Sequence, residues 1–317
     1  MAATLSVALT DRLASTLIDG LWGTPVSVLG ELTGIGVLGL PFMQRAYLAA
    51  ICVAVIGPLV GSFLVHREMA MIGDTLAHSA FAGVAAGLFV NSVFAFTVPP
   101  LVAALVVAAV AAVAVQTLID YAGTYRDASL AIVLTGSFAV GSVLITATDG
   151  GIAVGINAYL FGSLATVSRT NAALLVALTL VVITAVAAAY RPLLYTTFDE
   201  VGARAAGLNV ARYNRLLAVL TAVVVVGAMQ IMGVILVAGM LVIPVTAATP
   251  VSGFKRSLLA AVAVGQLATV GGVTLAYAYD VAAGGTIILV AITAYLAVTV
   301  GSRLRHRVVV SDRSAEN

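Results

Sequence analysis

Charge is what this sequence has least of. Asp, Glu, Lys and Arg make up 9% of its 317 residues against 62% hydrophobic ones, and a water-soluble domain of that composition would have too little polar surface to cover its core. The chain therefore belongs in a bilayer. Cysteine is nearly absent as well: the single one, Cys52, excludes a disulfide framework and any cysteine-based metal site, so metal chemistry would fall to His, carboxylates or Met. The net charge of only +2, with no basic run interleaved with aromatics, excludes nucleic acid as a partner. A clean secretory leader is missing too. Asp11 and Asp19 interrupt the first forty residues, which lack a basic start followed by an apolar core, so no cleaved signal peptide is expected.

What remains is a succession of apolar runs. They are roughly twenty residues long and do not alternate with polar residues, which favours spanning helices over a β-barrel. Thirty glycines and an excess of Ala and Val suit helices packed closely where lipid supplies no hydrophobic drive. Runs long enough to cross about 30 Å of hydrocarbon are read at residues 46–65, 69–90, 94–118, 128–147, 172–189, 216–231, 235–248, 258–279 and 286–301. The run 235–248 is short and holds Pro244, which also fits a broken or re-entrant helix. The fold expected is thus all-α, a polytopic transmembrane bundle of eight or nine spans with a short cytoplasmic helix. Residues 1–40 read as an amphipathic lead-in on the surface, 41–302 as one membrane domain and 303–317 as a polar tail.

Lys and Arg collect in the connection 191–215, at Lys255 and Arg256, in the tail, and at Arg67 and Arg126. Cytoplasmic loops are enriched in these residues. All these clusters share the cytoplasmic side if nine runs cross, and the tail changes sides if the Pro244 run only dips in. The connection 191–215 carries a helix start at Thr197 or Asp199, carboxylates in the first turn and a stop at Gly207. It reads as a short surface helix able to dock a partner, or as an ordinary solvated loop.

Ionisable groups inside a span cost about 2.5–3.5 kcal/mol each near its centre, yet one run holds two. Asp74 and His78 stand four residues apart, on one helical face, with Thr75 and Ser79 beside them. Counted from Met69, His78 lies roughly 14 Å along the helix. Carboxylate oxygen and neutral imidazole are ligands that zinc and manganese accept, and two ligands make a loose, releasable site. The competing reading is a hydrogen bond across the turn that glues the bundle. His66 and Glu68, at the edge of this run, read by default as solvated groups, and Asn157, Phe161 and Gly162 as turn or interface residues of an outward loop. No GxxxxGK[ST] phosphate loop is present, so any ATP-driven step needs another subunit.

The segment from Arg67 to Gly87, with Gly73, Asp74, His78 and Gly83, resembles the most recognisable motif of the zinc and manganese permeases of bacterial and archaeal ABC importers, the ABC-3 family. Ala82 departs from it, since proline is usual there. PFMQRA at 41–46, NAYLFGSL at 157–164, FDEVGARAAGLNV at 198–210 and QIMGVILVAGMLVIPVTAA at 230–248 resemble other family segments in order and spacing. The resemblance spans about residues 41–301. It implies a non-enzymatic transport subunit in the cell membrane that moves zinc, manganese or ferrous iron by alternating access, with no permanently bound cofactor. It further implies Asp74 and His78 as metal ligands, and Asp199, Glu200, Ala203, Arg204 and Gly207 as the contact with the ATPase. The implied partners are a second copy of the chain, cytoplasmic ATPase subunits that bind ATP, and an extracytoplasmic metal-binding protein. Alternatives are a proton-coupled secondary metal transporter, a permease for vitamin B12 or iron siderophores, and a structural scaffold.

Overall fold

A computed structural model describes residues 18, 20, 22–34, 36–94, 98–122, 126–147, 152–164 and 167–315. The described residues form helices and no strands: α1 (Thr24–Thr33), a 3-10 turn (Gly36–Gly39), α2 (Pro41–His66), α3 (Met71–Val93), α4 (Pro100–Ala122), α5 (Arg126–Thr146), α6 (Ile152–Phe161), α7 (Arg169–Ala188), α8 (Tyr190–Phe198), α9 (Glu200–Ala205), α10 (Val210–Met232), α11 (Val237–Ala247), α12 (Phe254–Tyr279) and α13 (Ala283–Ala315). Eight of them, α2–α5, α7, α10, α12 and α13, are long and apolar enough to cross a membrane.

α2 and α10 form the centre. They are the most enclosed of the eight, and α2 is surrounded by α7, α10, α11 and α12, while α10 also packs on α3 and α4. α5 and α13 stand at the periphery and leave large apolar side chains such as Ile132, Val143 and Leu289 exposed. Contact between neighbours is made by small residues, as composition suggested. A Cβ at Gly61 of α2 would lie 2.0 Å from the Leu241 carbonyl oxygen of α11, and one at Gly83 of α3 would lie 2.6 Å from Cα of Ala104 in α4. Only hydrogen at these positions lets the backbones meet.

The Pro244 run resolves into α11, eleven residues or about 16 Å of helix, too short to span alone. The chain nevertheless returns across the bundle between α10 and α12. The end of α10 is tied to α6, where the Val234 amide donates to the Tyr159 carbonyl at 2.8 Å and the Ser163 amide to the Gln230 carbonyl at 3.2 Å. The start of α13 lies there too, with the Cβ position of Gly284 at 2.0 Å from the Met232 carbonyl oxygen. α12 ends just before α13, so α12 begins at the opposite face, where Ser257 Oγ donates to the Ala248 carbonyl. An irregular turn at 233–236 followed by α11 covers that distance.

Of the nine described Lys and Arg side chains, Arg67, Arg191, Arg204, Arg212, Arg215, Lys255 and Arg256 fall at one end of the bundle, the basic end, and Arg45 and Arg169 at the other. Aromatic contacts unite it: the Phe254 ring meets His66, Tyr190 and Phe198 at 5.5, 6.4 and 5.7 Å, and the Lys255 ammonium lies 5.8 Å from the Tyr190 ring centroid.

The termini refine the expected boundaries. Residues 1–17 of the lead-in lie outside the described residues. Within its remainder, α1 buries Val26 and exposes Leu29 and Leu32, and Trp22 Nε1 donates to the Gln44 carbonyl of α2 at 2.8 Å. At the other end α13 runs unbroken to Ala315. The expected outward loop around Asn157 is the helix α6.

Candidate metal path and coupling surface

α2 ends in a tight reversal before α3. The Met69 amide donates to the Leu64 carbonyl at 2.9 Å and the Glu68 amide to that of Val65 at 3.1 Å, the two bonds of a Schellman cap. Glu68 takes the left-handed position with φ 57°, where glycine is usual. This reversal delays α3 to Met71, so His78 stands only about 10 Å along the helix and nearer the basic end than the count from Met69 placed it.

Asp74 sits in the first turn of α3, where a carboxylate favours the positive end of the helix dipole. His78 Nε2 is 3.7 Å from Asp74 Oδ1, beyond hydrogen-bond distance. The other ring nitrogen, Nδ1, is buried and has no hydrogen-bond partner. Neither nitrogen is therefore committed to the bundle, and the bond across the turn that would make the pair mere glue is not formed. That gluing role belongs to its neighbours. Thr75 Oγ1 donates to the carbonyls of Met71 and Leu130, and Ser79 Oγ meets Ser137 Oγ of α5 at 3.0 Å. Phe138 of α5 stands edge-on to the His78 ring at 5.3 Å and stacks on Phe81, closing one side. The other side is open: the Asp74 side chain is 43% exposed and that of His78 18%.

Among the described residues no third His, Cys, Asp or Glu joins this pair. A resident structural zinc takes four protein ligands, and this pair supplies two groups of the kind that metals accept, half of such a set. His66 and Glu68 do not join it. His66 Nδ1 pairs with the Ser62 carbonyl at 2.7 Å, and its ring packs on Phe198 and Phe254. Phe138 was not visible as a site residue in the sequence, since an aromatic in an apolar run carries no distinguishing signal.

The connection 191–215 contains two helices, α8 and α9, joined at Asp199. Asp199 caps α9 by accepting from the Gly202 amide at 2.7 Å. α9 stops in a second Schellman turn, with the Leu208 amide donating to Ala203 and the Gly207 amide to Arg204, both at 3.0 Å. Gly207 has φ 80°, which a β-carbon would strain. Glu200 and Arg204 pair at 2.5 Å on the exposed face, a contact that contributes little by itself. Val201 of α9 is 80% exposed and Phe198, the last residue of α8, 60%, so the elbow between the two helices presents an apolar tip at the basic end. Ala203, by contrast, is fully buried, so its methyl group packs α9 against the bundle and Glu200, Val201 and Arg204 form the exposed face.

Comparison with known proteins agrees with this layout. The pattern of the ABC 3 transport family matches residues 39–302. The manganese transport system membrane protein MntC of Halalkalibacterium halodurans is 33% identical over 261 residues, covering 81% of this chain and 86% of that protein. The high-affinity zinc uptake system membrane protein ZnuB of Haemophilus influenzae is 29% identical over 245 residues, covering 77% and 91%. Among solved structures, PsaBC from Streptococcus pneumoniae in complex with Fab is similar with a TM-score of 0.74 at 28% identity, covering 83% of this chain and 92% of that one. With eight membrane-length helices and a family match over most of its length, this multi-pass membrane protein belongs to the ABC 3 transport family.

Proposed function

We propose that the chain is the membrane permease subunit of an ATP-driven importer of a divalent transition metal, zinc or manganese, and that the ion passes Asp74 and His78. The observation that carries the reading is the uncommitted imidazole: a buried ring nitrogen without a partner, 3.7 Å from a half-exposed carboxylate at its other nitrogen, in a family of transport proteins. A cation drawn to the Asp74 carboxylate would meet Nε2, the ring nitrogen that faces it and that no hydrogen bond occupies, and carboxylate and neutral imidazole are a ligand pair that zinc and manganese accept.

The half-built coordination sphere supports a working unit of two copies, each contributing one Asp and His pair. The basic end faces the cytoplasm by its Lys and Arg content. α9 displays Val201, Glu200 and Arg204 there, a capped and exposed helix that seats a separate ATPase. The opposite end, with α6 and the start of α13, receives the ion from an extracytoplasmic metal-binding protein. ATP binding closes the ATPases, α9 moves with them, and the path beside α3 opens to one side at a time.

The test is uptake of radiolabelled zinc and manganese, each competed by the other, in vesicles holding this chain with its ATPase and binding protein. ATP-dependent accumulation lost in Asp74→Ala and His78→Ala, with assembly intact, is expected. Accumulation that ignores ATP and follows a proton gradient would refute the reading.

A further inference from the structure

Arg67 closes α2, and its side chain does not go to solvent. Nε donates to Thr197 Oγ1 at 2.8 Å, Nη1 to Asn214 Oδ1 at 2.6 Å, and Nη2 to the Leu193 carbonyl at 3.3 Å and to Thr196 Oγ1. Three of these acceptors belong to α8 and the fourth to the foot of α10. One planar guanidinium thus holds the α2–α3 reversal against two elements more than a hundred residues further along the chain.

What lies on either side of that fork gives it a purpose. α8 continues into α9 through Asp199 alone, and the Asp199 amide donates back to Tyr195 at 2.9 Å while its carbonyl accepts from Ala203 at 2.9 Å. The two helices are therefore joined by a hydrogen-bonded elbow. On the other side only three residues separate Arg67 from α3. They are stiffened by the Schellman bonds and by the Ile72 and Gly73 amides donating to the carbonyls of Met69 and Ala70 at 3.1 Å each. Asp74 follows directly.

We propose that Arg67 is a positioning residue that carries the displacement of α9 to α3, so that the setting of Asp74 and His78 follows the ATPase. The inference rests on the importer reading above. The fork geometry is essential to it, because a planar guanidinium reaches α8 and α10 together, whereas a lysine ammonium is a single point with three donors on a flexible stem.

The experiment compares wild type, Arg67→Lys, Arg67→Gln and Asn214→Ala in proteoliposomes with the ATPase and binding protein. It reads assembly, ATP hydrolysis and metal accumulated per ATP. Both Arg67 variants are expected to assemble and hydrolyse ATP while metal per ATP falls at least tenfold. Asn214→Ala, which cuts only the tie to α10, is expected to lose a few-fold. A wild-type ratio in Arg67→Lys, or failure of both Arg67 variants to assemble, would overturn the inference and leave the importer reading standing. Absence of ATP-driven uptake by the wild type would instead overturn the importer reading itself.

Discussion

Gly61→Ala adds one methyl group at the contact between α2 and α11, and its cost can be worked from the geometry. The new Cβ would lie 2.0 Å from the Leu241 carbonyl oxygen, where ordinary contact begins at 3.4 Å, so the two backbones must part by about 1.4 Å. The obstacle is main chain and cannot rotate away. α11 cannot retreat either, because it is also packed on α3, α12 and α13. Overpacking of this kind costs about 1–3 kcal/mol, and the upper end applies here. The substitution also removes a helical glycine, which returns about 1 kcal/mol. The net loss is about 2 kcal/mol, a roughly thirty-fold shift in the folding equilibrium. Gly271→Ala is the control, since its Cβ would meet only Val290 Cγ1 at 3.7 Å, and it should leave stability equal or slightly raised. Denaturant unfolding of both variants in detergent reads the difference. Equal stability of Gly61→Ala and wild type would refute the packing argument.

The caps and turns at the basic end allow further tests. Glu68→Gly relieves a left-handed residue and should stabilise the protein by roughly 0.5–1 kcal/mol, read by thermal unfolding. Asp199→Ala removes the cap of α9 and should cost about 1 kcal/mol, with faster amide exchange confined to 200–206. Gly207→Val places a branched residue at φ 80° and should loosen the end of α9 by about 1–2 kcal/mol, visible in the same exchange experiment.

The sequence revealed the spans because hydropathy follows burial in lipid, but their ends follow hydrogen bonding. α10 begins at Val210, six residues before its apolar run, because the Asn209 side chain accepts from the Arg212 amide and a capped helix tolerates Arg212 and Arg215 in its first turns. α4 begins at Pro100 and not at Phe94, since proline suits the opening of a helix and not its interior. The delay of α3 to Met71 comes from a Schellman turn whose left-handed residue is Glu68, and no glycine announces it. The helix α9 was legible in Asp199 and Gly207, which act through local caps. The inward turn of Ala203 was not, because which face of a six-residue helix is buried depends on distant packing. The Asp74 and His78 pair was legible from spacing alone. Arg67 was not, because its acceptors lie 126 to 147 positions away and a lone arginine at a helix end reads as solvated.

The irregular return at 233–253 also decides how the protein should be mapped experimentally. Counting long apolar helices gives eight, an even number, and would put the first residue of α2 and the far end of α13 on the same face. The backbone puts them on opposite faces. Epitopes or labels assigned by such a count would thus be inverted for every connection after Gly233, and a reporter fused beyond α13 would be sought in the wrong compartment.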